Sequence, residues 1–260
     1  MRIASWNINS LRLRLPLLRR LVESEQPDVI CLQEIKVSDD LFPREAVTAL
    51  GYPHVLHHGM KSYNGVAILS RLPLAAKDPE LWCQKADCRH GVVHLPGGIT
   101  LHNFYVPAGG DIPDPALNQK FRHKLDFLDE VAAYFRASPP ERTIVTGDLN
   151  VAPLEHDVWS HRQLLNIVSH TPGEVERLNA WQKAGGFVDS ARHFVPPEEK
   201  LYSWWSYRSP DWTRNDRGRR LDHIWVTPDL VPALAASKTL REMRAWEQPS
   251  DHVAVVTDLG

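Results

Sequence analysis

Apolar residues fall in short runs along most of the chain, and nearly every run stops at a polar residue. Arg2–Trp6, Asp28–Leu32, Gly65–Leu69, Val92–Leu95, Thr100–Val106, Thr143–Thr146, His223–Val226 and His252–Thr257 are rich in Ile, Val and aromatic residues, and predict strands. Between them, apolar positions recur at helical spacing over Leu13–Ser24, Pro43–Leu50, Pro115–Ala137 and Gly173–Ala184. Asp114 before Pro115 reads as an N-cap followed by a first-turn proline, and Leu117, Phe121, Leu125, Leu128, Val131 and Phe135 make a core-facing stripe. Pro96-Gly97-Gly98 reads as a hairpin connection. No low-complexity tract or long Pro/Gly linker divides the pattern, so residues 1–260 are read as one α/β or sandwich domain.

One internal echo stands out. Ile3-Ala4-Ser5-Trp6-Asn7-Ile8-Asn9 and Ile144-Val145-Thr146-Gly147-Asp148-Leu149-Asn150 both run an apolar strand into an amide-bearing end, as two similar layers would. Composition adds little: 43% hydrophobic and 24% charged residues describe an ordinary globule with a sizeable core. Three cysteines are too few for a disulfide framework, and Cys83 and Cys88 lack zinc-site spacing. The first residues hold no apolar run of signal-peptide length and no later stretch approaches a membrane span, so a cytoplasmic protein with no membrane partner is expected. A formal charge of −2 decides nothing about nucleic acid, because acidic metal ligands and basic phosphate contacts cancel in the sum.

The chemistry lies at the strand ends. Asn7, Glu34, Asp148, Asn150, Asp222, Asp251 and His252 each adjoin an apolar strand, where an unpaired charge is expensive. Any one of them alone is an ordinary turn or capping residue. Together they form an oxygen-rich set that suits Mg²⁺, with Mn²⁺ as a substitute.

These residues sit in a pattern, Trp6-Asn7-Ile8-Asn9-Ser10-Leu11-Arg12, Leu32-Gln33-Glu34-Ile35-Lys36, Tyr105-Val106-Pro107, Gly147-Asp148-Leu149-Asn150, Arg220-Leu221-Asp222 and Ser250-Asp251-His252. In order and spacing it resembles the exonuclease III family of DNA-repair nucleases, which includes the major abasic-site endonucleases. The resemblance implies a four-layer α-β-β-α sandwich, two central mixed sheets flanked by helices, with the site at one edge. It implies Glu34 as principal Mg²⁺ ligand, with Asn7, Asp251, Asp148 and Asn150 completing one or two metal positions. Asp148 would orient or deprotonate the attacking water, and Asn150 would donate to the phosphate. Tyr105 would lie near the scissile group as phenol donor or phenolate. His252, held by Asp222, would stabilise charge developing on the phosphoryl oxygens.

Between Tyr207 and Arg220 the chain carries five Arg (Arg208, Arg214, Arg217, Arg219, Arg220) against two Asp. An Arg-rich loop is usually just solvated; its place before Leu221-Asp222 points to phosphate contacts, and Arg12 and Lys36 are further candidates. Ser203-Trp204-Trp205-Ser206-Tyr207 resembles the family's aromatic segment lining the pocket for a base-free deoxyribose, with Trp204 and Leu221 as lining residues and Trp205 and Trp225 as core. Arg219 stands where some family members place an aromatic residue, and Ala108-Gly109-Gly110-Asp111 lacks the basic residue that relatives insert into the duplex. Glu155–His161 reads as a surface segment leading into a short helix over His161–Val168.

The expected activity is Mg²⁺-dependent hydrolysis of double-stranded DNA at abasic sites, nicks and blocked 3′ ends by a monomer. The competing reading is a lipid or sugar-phosphate phosphatase of the same superfamily. The sequence holds no phosphate-cradling Gly-rich loop and no nucleophile elbow, which disfavours triphosphate use and covalent catalysis.

Overall fold

The computed structural model describes residues 1–208 and 211–260, so Ser209 and Pro210 of the Arg-rich segment lie outside it. The first half runs β1 (Arg2–Asn7), α1 (Leu15–Glu25), β2 (Val29–Gln33), α2 (Arg44–Ala49), β3 (His54–Met60), β4 (Tyr63–Ser70), β5 (Ala75–Lys77), β6 (His90–Leu95), β7 (Ile99–Tyr105), α3 (Gln119–Ala137) and β8 (Thr143–Asp148). The second half adds α4 (His161–Leu164), α5 (Pro172–Ala184), β9 (Val188–Asp189), α6 (Ser190–Phe194), β10 (Trp204–Trp205), α7 (Trp212–Asn215), β11 (Gly218–Arg219), β12 (Asp222–Val226), β13 (Leu234–Thr239) and β14 (Val255–Leu259).

Two six-stranded mixed sheets result, ordered β13-β14-β1-β2-β4-β3 and β5-β6-β7-β8-β12-β9. Their inner faces meet through Ile3, Val29, Cys31, Ile68, Val93, Leu101, Ile144, Ile224 and Val255, all buried. Outside the first sheet, α1 packs Leu18, Leu21 and Val22 on Ala4, Trp6, Ile30 and Leu32. Outside the second, α3 and α5 pack Phe127, Leu128, Val131, Phe135, Leu178 and Trp181 on Phe104, Val145 and Trp225. This is the α-β-β-α sandwich. No helix among the described residues is long and apolar enough to cross a membrane.

The sequence echo has a structural counterpart. β1 pairs parallel with β2 and antiparallel with β14, while β8 pairs parallel with β7 and antiparallel with β12. Asn7 and Asp148 therefore end the corresponding central strands of the two sheets. Near that end the sheets are joined by polar contacts, not apolar ones: Gln33 Nε2 donates to Asn103 Oδ1 at 2.7 Å, and Asn103 Nδ2 donates to the Leu32 and Ala67 carbonyls. Such bonds demand one alignment, because a slip would strand buried polar groups.

Several boundaries differ from the sequence pattern for identifiable reasons. Asp114 caps only a turn, accepting from the Ala116 N–H at 2.7 Å; α3 starts after Asn118, whose side chain accepts from Lys120 N–H. Leu117 consequently lies outside the helix, 77% exposed, while Phe121, Leu125, Leu128, Val131 and Phe135 are buried. The last strand begins at Val255 and not at His252, because His252 bridges to Trp204 and Val253 N–H donates to the Ser203 carbonyl. The helix expected over His161–Val168 stops at Leu164. β3, β5 and β13 have no clear period-two pattern, being partly exposed strands at the sheet edges.

Asn118→Ala should destabilise the protein by about 1–2 kcal/mol, since Asn118 caps α3 and its Nδ2 also ties down the Gly109 and Ile112 carbonyls. Urea unfolding measures this; an unchanged midpoint would mean that the cap is redundant.

Candidate active site

Strand ends from both sheets converge on one cleft of about 850 Å³, lined by Glu34, Tyr105, Asp148, Asn150, Trp204, Leu221, Asp251 and His252 among others. The pairing register brings them there: Tyr105 lies opposite Asp148, and Asp148 opposite Asp222. Gly147 makes the approach possible. Its φ is +142°, and a Cβ there would lie 1.9 Å from the Phe104 carbonyl oxygen, so only glycine lets β7 and β8 run this close just before Asp148. Glu34 and Asn150 both adopt positive φ, +50° and +54°, which turns their side chains off the strand direction. For Glu34 that conformation is unfavourable, and the pairing of β2 and the bonds below hold it.

Asn7 is the hub of the acidic cluster. Its Nδ2 donates to Glu34 Oε1 at 2.9 Å and to Asp148 Oδ2 at 2.8 Å, so the amide nitrogen, not the oxygen, faces the two carboxylates. Tyr105 Oη donates to the same Glu34 oxygen at 2.9 Å. Burial, with Glu34 and Asp148 adding, pushes the Tyr105 pKa well above its ordinary value, so it is a phenol donor and not a phenolate. Burial would raise the Glu34 pKa, but bonds from Asn7 and Lys36 and the Lys36 charge outweigh it and hold the carboxyl below the usual range.

His252 sits between two carboxylates. Nδ1 lies 2.8 Å from Asp222 Oδ2, and Nε2 points toward Asp148 Oδ2 at 3.6 Å. Burial alone would discharge the imidazole; Asp222, Asp148 and Asp251 overcome it and raise its pKa to about 10. The ring is therefore an imidazolium. Asp222 is itself fixed by a 2.6 Å bond from Ser203 Oγ, and Ser203 also orders the Leu221 and Asp222 N–H groups. Burial raises the Asp148 pKa to about 7, opposed by His252 and supported by Asp222.

Asp148, Asp222 and His252 offer ligand atoms within 4.8 Å of one another. An imidazolium between two carboxylates has no lone pair for a cation, so this trio reads as a hydrogen-bonded relay. The better position is at Glu34. There Lys36 Nζ lies 2.7 Å from Glu34 Oε2 and 2.6 Å from Asn9 Oδ1, so the structure itself places a cation where an oxygen-ligated metal would sit. Asp251 faces the same cleft, its Oδ2 bonded to Trp204 Nε1 at 3.0 Å and its Oδ1 to Asn9 Nδ2 at 3.1 Å. Burial would raise the Asp251 pKa, but the His252 charge and these two donors lower it. The residues fit a hard divalent cation, with Asn7 taking part only if its amide is turned over. Asn150 Nδ2 donates to the Val106 carbonyl at 2.9 Å, leaving its other N–H and its oxygen for a ligand.

The basic residues divide. Arg208, Arg217 and Arg219 line the cleft with Trp204 and Leu221. Arg217 is exposed, its guanidinium 4.6 Å from the Trp159 ring centroid. Arg12 and Arg214 are exposed but lie outside the cleft lining, and Lys36 is engaged with Glu34. Arg220 is no phosphate contact: it is 2% exposed and pairs with Asp157 and Asp189. Asp157, read from sequence as part of a surface segment, is fully buried by that pairing. Trp205 and Trp225 are core, each 1% exposed. The sequence pattern does not single out Asn9, Ser203, Trp159 or Ser169. Asn9 and Ser203 lie inside the motifs, Trp159 lies in the Glu155–His161 segment that reads as surface, and nothing in the local sequence marks Ser169.

Residues 4–252 match the profile described as the Endonuclease/Exonuclease/phosphatase family. The chain is 32% identical to exodeoxyribonuclease III of Haemophilus influenzae, over 98% of each chain. Among solved structures, an AP endonuclease from Archaeoglobus fulgidus superposes with a TM-score of 0.91 at 31% identity, covering 100% of this chain and 99% of that one. A 3′ phosphatase from Neisseria bound to product DNA hairpin superposes at 0.90 and 30% identity, with the same coverage.

Proposed function

Since the chain belongs to the endonuclease/exonuclease/phosphatase family, we propose that it is a DNA-repair nuclease that cleaves double-stranded DNA at abasic sites and clears blocked 3′ ends. The observation that carries this is one cleft holding both halves of the chemistry. On one side stand the carboxylates of Glu34 and Asp251, both with lowered pKa; on the other, an imidazolium fixed by Asp222 beside Asp148. The names of the relatives supply the DNA, and a cleft wall of Trp204, Trp212, Arg208 and Arg217 suits it.

Hydrolysis of a phosphodiester needs a water in line with the leaving oxygen and positive groups around the phosphoryl oxygens. Glu34 and Asp251, with Asn7 and Asn150, would hold Mg²⁺, or Mn²⁺ in its place. Bound there, the ion neutralises charge on the phosphate. Asp148 Oδ2 is the acceptor for the water proton, and Asn7 and His252 fix its position. The His252 imidazolium, whose Nε2–H points toward Asp148 Oδ2 and which Asp222 keeps protonated and oriented, would offset the charge gained by the phosphate oxygens. Tyr105 and the remaining Asn150 N–H donate toward the phosphate. The reading takes the chain to act as a monomer, a single catalytic domain on chromosomal DNA in the cytoplasm.

The test compares an abasic-site duplex, a 3′-phosphorylated nick and a phosphoinositide, each with Mg²⁺, Mn²⁺ or chelator. Cleavage of both DNAs with either metal, none in chelator and an untouched phosphoinositide are expected. Phosphoinositide hydrolysis with intact DNA would transfer the chain to the lipid-phosphate branch.

A further inference from the structure

Arg219 has an unusual environment for a cation. Its guanidinium lies over the Trp204 ring, Cζ 5.2 Å from the centroid, in the cleft wall. Nη1 donates to the Val168 carbonyl at 2.9 Å and to Ser169 Oγ at 2.8 Å, both uncharged. Nε is buried without a partner, and no carboxylate among the described residues lies within ion-pair distance. Glu174, whose charge reaches Arg219, is already spent. Fully buried, it pairs with Lys124 at 2.5 Å and accepts from Ser169 N–H and from the Thr171 N–H and hydroxyl.

That arrangement builds a site. Lys124 and Glu174 cancel each other and fix the Ser169 loop, which grips one nitrogen of Arg219 and holds the guanidinium over Trp204. What remains is an uncompensated positive charge in a half-buried wall, costly unless an anion meets it. Trp204 also donates to Asp251, so the charge sits one indole's breadth from the acidic cluster. A guanidinium held on an indole, with unused N–H groups, suits a phosphate. We propose that Arg219 is a second phosphate subsite, taking the DNA phosphate that follows the nucleotide held in the cleft, distinct from the phosphate being hydrolysed. The proposal rests on the nuclease reading and names what that cleft recognises beyond the scissile group. Two sources share this chemistry, the diester that continues the strand and a terminal phosphomonoester.

The experiment measures binding in chelator to three duplexes carrying a stable abasic analogue. In the first the analogue is internal and a diester follows it; in the second it ends the strand in a hydroxyl; in the third it ends in a phosphate. Wild type should bind the first, the third or both about tenfold or more tightly than the second, whichever discriminates naming the source. Arg219→Gln should erase that difference and lower the salt slope for the discriminated duplex by about one. Equal binding of all three by wild type, a difference that survives Arg219→Gln, or an equal loss on all three would overturn the assignment. Thermal melting checks the fold, and Arg219→Lys, which keeps the charge without the fork, should discriminate weakly and serves if Arg219→Gln does not fold. Adding Mg²⁺ to wild type and the first duplex tests the underlying reading separately: intact DNA would sink the nuclease assignment while the binding ratios still judge Arg219.

Discussion

Replacing Asp148 by Asn should lower turnover on an abasic duplex by about 10²–10⁴-fold while leaving affinity for that duplex within a few-fold of wild type. Asp148 is 1% exposed, and its Oδ1 accepts from the Asn150 N–H at 3.0 Å while Oδ2 accepts from Asn7 at 2.8 Å. Asparagine keeps the volume and the Oδ1 contact. It replaces Oδ2 by an amide nitrogen that faces two donors, Asn7 Nδ2 and His252 Nε2, and cannot accept a proton from water. Chemistry is thus removed and shape is nearly kept. Binding should not fall on electrostatic grounds, because the change deletes one negative charge from a cleft that must receive phosphates. Single-turnover rates with saturating enzyme separate the two quantities, and melting temperatures verify the fold. A variant that retains activity within tenfold would remove Asp148 from the proton-accepting role, and one that fails to fold would make it structural.

How far the sequence reveals this site follows from how each residue is positioned. Asn7, Glu34, Asp148, Asp222 and Asp251-His252 were legible because strand ends are local: an apolar run stopping at a carboxylate or amide can be seen in a handful of residues. Tyr105 was legible only through family resemblance, since a tyrosine ending an apolar run is otherwise unremarkable. Of the partners that set their charge states, only Asp222 beside His252 was legible, and only through the resemblance; the part played by Asp148 was not. His252 is an imidazolium because Asp222 and Asp148 reach it from another sheet, a relation with a sequence separation of 30 for Asp222. Arg220 and Arg219 are neighbours in sequence and opposite in role, one sealed between two aspartates and one facing the cleft. Composition could not separate them, because alternation along β11 and the adjoining residue sends them to different sides. The helix start at Asn118 was missed for the opposite reason: Asp114-Pro115 is a good local signal that a second, better capped start four residues on overrides.

The largest stability effect is expected at Asp157, which lies outside the cleft lining. Its carboxylate is fully buried and binds Arg220 through two bonds, 2.8 and 2.9 Å, with Arg192 at 2.5 Å and the Leu154 N–H at 3.0 Å. Asp157→Asn should cost about 3–5 kcal/mol, because it leaves the buried Arg220 charge with Asp189 alone. For a chain of this size that corresponds to a fall in melting temperature of roughly 6–20 °C. Neutralising Asp258, which meets Arg2 at the surface with side chains 36% and 26% exposed, should by contrast cost under about 1 kcal/mol. The pH dependence fixes the cause. Burial would raise the Asp157 pKa, but Arg220 and Arg192 hold it below the ordinary carboxylate value. A carboxyl with a depressed folded-state pKa contributes its stability above the unfolded value, about 3.9, and loses it as pH falls through the folded value. The gap between wild type and Asp157→Asn in urea unfolding should therefore be full at pH 7 and narrow progressively below about pH 4. A gap that stays constant down to the acid limit would mean that the loss comes from packing or the Leu154 contact and not from the ion pair. At temperatures where the variant remains folded, it should still cleave abasic DNA, since Arg220 acts on the site only by anchoring the backbone ahead of Leu221 and Asp222.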